Sequence, residues 1–279
     1  VLNGLSFEIK EGETVAFVGP IGCGKSTIMN LILRFLDPQA GKILVEGKDI
    51  SEVTLKSLRE QVSKLSQFPF FLKDTIRENV RLGKANASEE EIIEACRLAQ
   101  IHDIIMDEKR IPEGYDTVIA DQIPSGGQKR LIALARCLVR KPEVLILDEP
   151  TENLDEEVRN RLVEVIKKYV KNPENRKTCL VISHDLKFVS KVADRIIVLD
   201  EGRVADIGTH AELIQREGIY KRLLELETVI EKIDPKLFRT GTETEKDGET
   251  QGVPGAAIPG MGMPGPMGPG GMGGMSMPR

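Results

Sequence analysis

The chain has 279 residues, a net charge of −5 and 40% hydrophobic residues, enough for one large domain or two small ones. The acidic balance excludes a chain-wide basic footprint for nucleic acid, and 4% aromatics without tryptophan argue against base-stacking platforms. Cys23, Cys96, Cys137 and Cys179 are far apart and form no paired motif, which fits a reducing compartment better than a disulfide framework.

Val1 to Ile9 alternate like a strand. Because the chain opens inside that pattern without Met or a signal peptide, it reads as a fragment with sequence missing upstream. The apolar run Thr14–Val18 predicts a strand, and Ile28–Leu33 predicts a helix. A helix is expected around 55–59, followed by a strand running into Gln67. Residues 72–140 are helical in pattern, with a capping box at Ser88–Glu91. The continuous apolar run 143–148 suits a strand buried on both faces. A helix over about 155–171, a strand at 178–183, a strand at 194–199 and a last helix near 211–232 complete the pattern. Strands alternating with helices predict an α/β sheet covered on both sides. From Asp234 the composition turns polar, and from residue 252 it is mostly Gly, Met and Pro. Such a tail cannot bury enough apolar surface to offset its chain entropy. No apolar run in the chain approaches the 18 residues or more of a bilayer span.

Three motifs carry chemistry. Residues 19–27 read Gly-Pro-Ile-Gly-Cys-Gly-Lys-Ser-Thr, a phosphate-binding loop set between a strand and a helix. Its glycines let backbone N–H groups curl around phosphate oxygens, and the helix N-terminus adds its positive dipole end. Lys25 can reach the terminal phosphates, and Ser26 can offer its hydroxyl to Mg²⁺. The strand Val144–Leu147 ends in Asp148-Glu149-Pro150. Asp148 suits the metal, directly or through its waters, and Glu149 can orient and deprotonate a water. Ser125-Gly126-Gly127-Gln128 opens a helix-like run and fits a capping box, which makes it a second anion site or an ordinary capped helix.

Together these motifs resemble the nucleotide-binding domain of ATP-binding cassette (ABC) proteins over about residues 1–230. The resemblance implies a P-loop NTPase core of RecA-like type at 1–67 and 141–233. It also implies a helical subdomain at 68–140, an ABC domain over 1–233 truncated at its N-terminus, and a disordered tail at 234–279. ATP and Mg²⁺ are the implied ligands. The implied nucleotide-binding residues are Gly19, Pro20, Ile21, Gly22, Cys23, Gly24, Lys25, Ser26, Thr27, Gln67, Ser125, Gly126, Gly127, Gln128, Asp148, Glu149 and His184. Ser26, Gln67 and Asp148 are expected to support the metal, and Glu149, His184, Lys25 and Gln67 to serve catalysis. In this family Gln67 resembles the glutamine that senses the transmembrane domain. His184, in Ser183-His184-Asp185, resembles the switch histidine, and Leu154-Asp155 resembles the end of the D-loop.

Phe71–Val80, Ala95–Asp103, Gly114–Thr117, Gly208–Leu213 and Gly218–Tyr220 resemble the exporter-type pattern. The implied partners are therefore a second nucleotide-binding domain, docked head-to-tail around two ATP, and a transmembrane domain N-terminal in the same full-length chain. No nucleic-acid partner is expected. The domain is expected at a membrane through the missing transmembrane part, on the cytosolic or an organelle-lumenal, ATP-containing side. Active hydrolysis is expected, with a soluble ABC ATPase of translation or DNA repair and a degenerate, regulatory cassette as alternatives. The chain departs from the family pattern in several places. Pro124 replaces a leucine before Ser125, where a fixed φ ahead of a helix cap is tolerable. Val118–Ile123 is short and lacks a Gly-Glu, which bears on contact with coupling helices. Glu152-Asn153 stand for Ser-Ala in the D-loop. The adenine-stacking aromatic would lie upstream of Val1. Cys23 sits at a helix start, so thiol reagents are expected to inhibit and ATP to protect.

Overall fold

The computed structural model describes residues 1–119, 125–172 and 176–233. Pro124, most of the short segment before it and the polar and Gly/Met/Pro-rich tail lie outside the described residues. The elements run β1 (Thr14–Val18), α1 (Lys25–Ile32), β2 (Leu44–Val45), β3 (Lys48–Asp49), α2 (Leu55–Gln61), β4 (Val62–Leu65), α3 (Ile76–Arg81), α4 (Glu89–Leu98) and α5 (His102–Ile105). They continue with α6 (Gly126–Leu138), β5 (Val144–Asp148), α7 (Glu156–Val170), β6 (Thr178–Ile182), α8 (Leu186–Val192), β7 (Arg195–Asp200), β8 (Arg203–Gly208), α9 (His210–Leu213) and α10 (Ile219–Ile233).

Six strands form one sheet in the order β4-β5-β6-β1-β7-β8. The first four neighbours, and β1 with β7, pair in parallel, while β8 returns antiparallel to β7. The physical basis is the apolar runs. β1 is buried at every position, and β5, β6 and β7 nearly so, as a sheet covered on both faces requires. Successive side chains alternate between two cores. Ala16, Val18, Leu145, Leu147, Cys179 and Val181 face the larger core under α3–α8. Val15, Phe17, Ile146, Leu180 and Ile182 face a smaller one with Ile28 and Met29 of α1.

Two expectations from the sequence need correction. Residues 1–9 follow the predicted alternation, and Leu2, Leu5, Phe7 and Ile9 pack against the smaller core, but the segment joins no strand ladder among the described residues. Alternation reports one-sided packing, and a ladder needs a backbone partner as well. The last helix is broken in two. α9 is stopped after one turn capped by Thr209 and Glu212, and α10 begins beyond Gly218.

Between β4 and β5 the chain folds α3–α6 as a helical group. Asn79 is fully buried there. Its amide donates to the carbonyls of Leu72, Asp74 and Thr75, and its Oδ1 accepts from the Leu72 amide. Arg136 of α6 donates to the Asn79 and Phe70 carbonyls and lies over the Phe70 and Phe71 rings. These bonds satisfy the backbone of an irregular loop that leaves β4, which has no ladder to supply partners.

Candidate active site

Because β4, β5, β6 and β1 are parallel neighbours, their C-terminal ends share one edge of the sheet. Leu65 pairs with Leu147, Asp148 with Ile182 and Phe17 with Ile182. The loop 19–24, Gln67, Asp148-Glu149 and Ser183-His184 therefore leave the sheet side by side. Ligand sites in open α/β sheets form at this edge, where loops diverge beyond the strand ends.

The phosphate loop is shaped by glycine where the backbone demands it. Gly22 and Gly24 lie at φ +82° and +108°, in the left-handed region that L side chains rarely adopt. A Cβ on Gly19 would come within 2.2 Å of the Leu199 carbonyl oxygen. α1 starts at Gly24 without a side-chain cap, whereas Ser, Thr or Asp side chains cap α2, α3, α4, α6, α7, α8 and α9. The first N–H groups of α1 thus lack the usual oxygen and suit an anion. The Lys25 ammonium donates to the Gly19 and Pro20 carbonyls at 2.7 and 3.0 Å, bonds that a phosphate can replace. Ser26 is exposed, as is the loop tip at Ile21.

Asp148 ends β5 with its side chain only 13% exposed, and the Lys64 ammonium lies 2.7 Å from its Oδ2. Glu149 follows in a left-handed conformation at φ +45°, a strain of about 1–3 kcal/mol for a non-glycine residue. Its amide still donates to the Ile182 carbonyl, so the strand pairing carries on while the side chain is turned aside. Glu149 Oε2 accepts from the His184 amide at 3.1 Å and lies 2.8 Å from His184 Nδ1. This carboxylate hydrogen bond, opposed by partial burial, holds the His184 ring above the usual histidine pKa.

Gln67 donates to Glu152 at 2.7 Å, so the D-loop departure seen in the sequence touches the expected metal residue. Arg130, buried in α6, donates to the Ser66 and Gln67 carbonyls at 2.9 and 2.7 Å. Burial lowers the Arg130 pKa, opposed by Glu152 and Asp148. Ser125 and Gln128 form the predicted reciprocal capping box, which does not use the N–H groups of Gly126 and Gly127. Gly126 is open to solvent, but a Cβ on Gly127 would meet Val158 of α7 at 2.6 Å. That second glycine therefore serves close helix packing.

Glu149 and His184 are brought together directly, and Lys25 stays with its own loop. Ser125–Gln128 belongs to the helical group, with α6 packed on α3, α4, α7 and β4. Lys64 and Arg130 were missed by sequence reasoning. Lys64 is the one charge in the short strand Val62-Ser63-Lys64-Leu65, and that was the available signal. Arg130 lies just after the glycine pair, and nothing in the sequence ties it to Gln67. Beside Gln67 a cavity of about 250 Å³ is lined by Lys64, Phe68, Pro69, Phe70, Ala133 and Arg136 among others, with Phe68 and Phe70 largely exposed.

The family model described as ABC transporter matches residues 2–152. The chain belongs to the ABC transporter family. It is 42% identical over 241 residues to the ATP-dependent lipid A-core flippase of Syntrophus aciditrophicus, covering 86% of this chain and 39% of that protein. It is 39% identical over 263 residues to multidrug resistance protein 1 of Entamoeba histolytica, covering 92% and 20% respectively. A bacterial Atm1-family ABC exporter solved with ATP bound superposes with a TM-score of 0.74 at 38% identity, over 81% of this chain and 39% of that one. The expected fold class is borne out, as is the exporter kinship. The ABC domain described above is an ATP-binding ATPase domain of exporter type. The chain spans only 20–39% of the length of these relatives. No helix among the described residues is long and apolar enough to cross a membrane.

Proposed function

We propose that this ABC domain is the motor of a membrane exporter, hydrolysing Mg²⁺-ATP between two such domains set head-to-tail. The observation that carries it is the Glu149–His184 pair, 2.8 Å apart beside Asp148. Residues 19–27 of one domain cradle the phosphates. The Lys25 ammonium leaves the Gly19 and Pro20 carbonyls for the phosphate oxygens. Gly126 and Gly127 of the opposing domain, whose N–H groups the capping box does not use, close over the nucleotide together with Ser125. Glu149 takes the proton of the attacking water, and the protonated His184 ring offsets charge on the transferring phosphoryl group.

The donor set suits Mg²⁺. It offers one hydroxyl, one carboxylate and one amide oxygen rather than an all-protein cage, and a cationic ammonium already stands at Asp148. Ser26, Asp148 and Gln67 would hold the ion, which supplies charge neutralisation of the phosphates when bound. Loss of the γ-phosphate removes the contacts that join the two domains, and they separate. The exposed Phe68 and Phe70, which line the cavity next to Ser66, suit a transmembrane partner, which would place the domain at the cytosolic face of its membrane.

The test is ATP turnover against protein concentration, with Glu149→Gln as control. We expect activity to rise more steeply than linearly. The variant should lose turnover by about 10²-fold or more and accumulate an ATP-bound dimer on size exclusion. A Glu149→Gln protein that turns over at the wild-type rate refutes the role given to Glu149.

A further inference from the structure

The charged group least explained by the site is Lys64. It lies on β4, an edge strand of the sheet. A lysine on an edge strand is ordinarily a solvated guard against strand addition. Lys64 does not behave that way. Its side chain is only 18% exposed, and its ammonium is turned onto the Asp148 carboxylate at 2.7 Å.

The register explains the contact. Lys64 pairs with Ile146, and Asp148 lies two residues further along β5, so both side chains project from the same face of the sheet. That face packs on α1, the helix that carries Ser26. Other charges nearby are held by neutral partners. Arg130 is tied to the carbonyls of Ser66 and Gln67, and Glu152 is tied to the Gln67 amide. Among the described residues, the cation at hydrogen-bonding distance from Asp148 is Lys64, from the strand next door. A carboxylate this enclosed is costly to leave unpaired.

We propose that Lys64 is a resident counter-ion of the metal site. Its ammonium neutralises Asp148 while no Mg²⁺ is present, and it yields the carboxylate when Mg²⁺-ATP binds. The inference rests on the reading of Asp148 as the metal-supporting residue. It has two consequences of the same sign. With Lys64 present, metal-free ATP meets less repulsion from Asp148, so binding without Mg²⁺ is eased. Mg²⁺ must also compete with an ammonium, so its contribution to nucleotide affinity is reduced. Lys64 thus lowers the dependence of ATP binding on Mg²⁺.

The test uses the full 279-residue chain and a fluorescent ATP analogue, titrated in EDTA and in Mg²⁺. We compare wild type, Lys64→Met, which keeps the apolar stem, and Lys64→Arg, which keeps the charge. The ratio of Kd in EDTA to Kd in Mg²⁺ should grow about tenfold in Lys64→Met, as expected for loss of a close, enclosed charge pair, and stay near wild type in Lys64→Arg. A second readout needs no nucleotide. Lys64→Met should melt below wild type, and Mg²⁺ alone should restore its Tm while leaving wild type unmoved. Equal tightening by Mg²⁺ in wild type and Lys64→Met overturns the proposal but leaves Asp148 in its role. If Mg²⁺ tightens binding in neither protein, the assignment of Asp148 falls, and this proposal with it. Should Lys64→Met fail to fold, the double variant Lys64→Met/Asp148→Asn should fold, because no lone carboxylate remains. A double variant that also fails assigns Lys64 to packing and overturns the proposal.

Discussion

The two glycines that open α6 give a sharp test, because Gly127 is pressed against α7 and Gly126 is not. Neither has a positive φ, so alanine suits both backbones and should contribute about 0.5–1 kcal/mol of helix stability. At Gly126 an added Cβ meets nothing within 4 Å. Gly126→Ala should therefore raise the Tm by about 1–4 °C for a domain of this size. At Gly127 the new methyl would lie 2.6 Å from Val158 Cγ2, and overpacking of this kind costs about 1–3 kcal/mol. Set against the helix gain, Gly127→Ala should lose up to about 2.5 kcal/mol, with a mid-range of about 1 kcal/mol or about 2–4 °C.

Val158→Ala makes the room. In the double variant the two changes should couple favourably by about 1–2 kcal/mol, read from urea or thermal melts of the four proteins. Function should separate from stability. In a Glu149→Gln background, Gly126→Ala should weaken ATP-driven dimerisation while the monomer grows more stable. If Gly126→Ala destabilises as much as Gly127→Ala, or if Val158→Ala gives no rescue, the packing argument is wrong.

His184 offers a pH test. Its bond to Glu149 raises the ring's pKa above the usual 6.5. The stabilisation from that pair is therefore full below the unfolded value and fades as pH rises through the folded one. Glu149→Gln should move the NMR titration midpoint of His184 downward, a resonance to be assigned among three histidines, and an unchanged midpoint excludes the pairing in solution. For the thiols, burial pushes Cys96 and Cys137 up to about 12 and raises Cys179 as well, so these three stay protonated and poorly reactive at neutral pH. Cys23 is buried as well, but it sits in the glycine-rich loop with the Lys25 ammonium 3.6 Å from its Sγ. Maleimide labelling should therefore be slow at all four thiols and fastest at Cys23, inhibit turnover and be blocked by ATP, and inhibition that persists in Cys23→Ala refutes this.

The residues 19–27 were legible from the sequence because a phosphate loop is built from consecutive residues. Its glycines meet local backbone needs, and its flanking apolar runs announce a strand and a helix. The capping boxes at Ser88 and Ser125 were legible for the same reason, since both partners lie within one turn. The buried parallel strands showed as unbroken apolar runs. Residues 1–9 misled because alternation reports which side chains face a core, and whether the backbone finds a ladder partner is decided elsewhere in the chain.

What the tertiary structure alone decided are the pairings across that chain: Lys64 with Asp148, Glu149 with His184, Arg130 with the Gln67 carbonyl, and Gly127 with Val158. These depend on strand order β4-β5-β6-β1 and on register. Strand order is a global choice among pairings of similar local energy. No short window of sequence carries it, and so the chemistry of single motifs could be read in advance while the charges that adjust them could not.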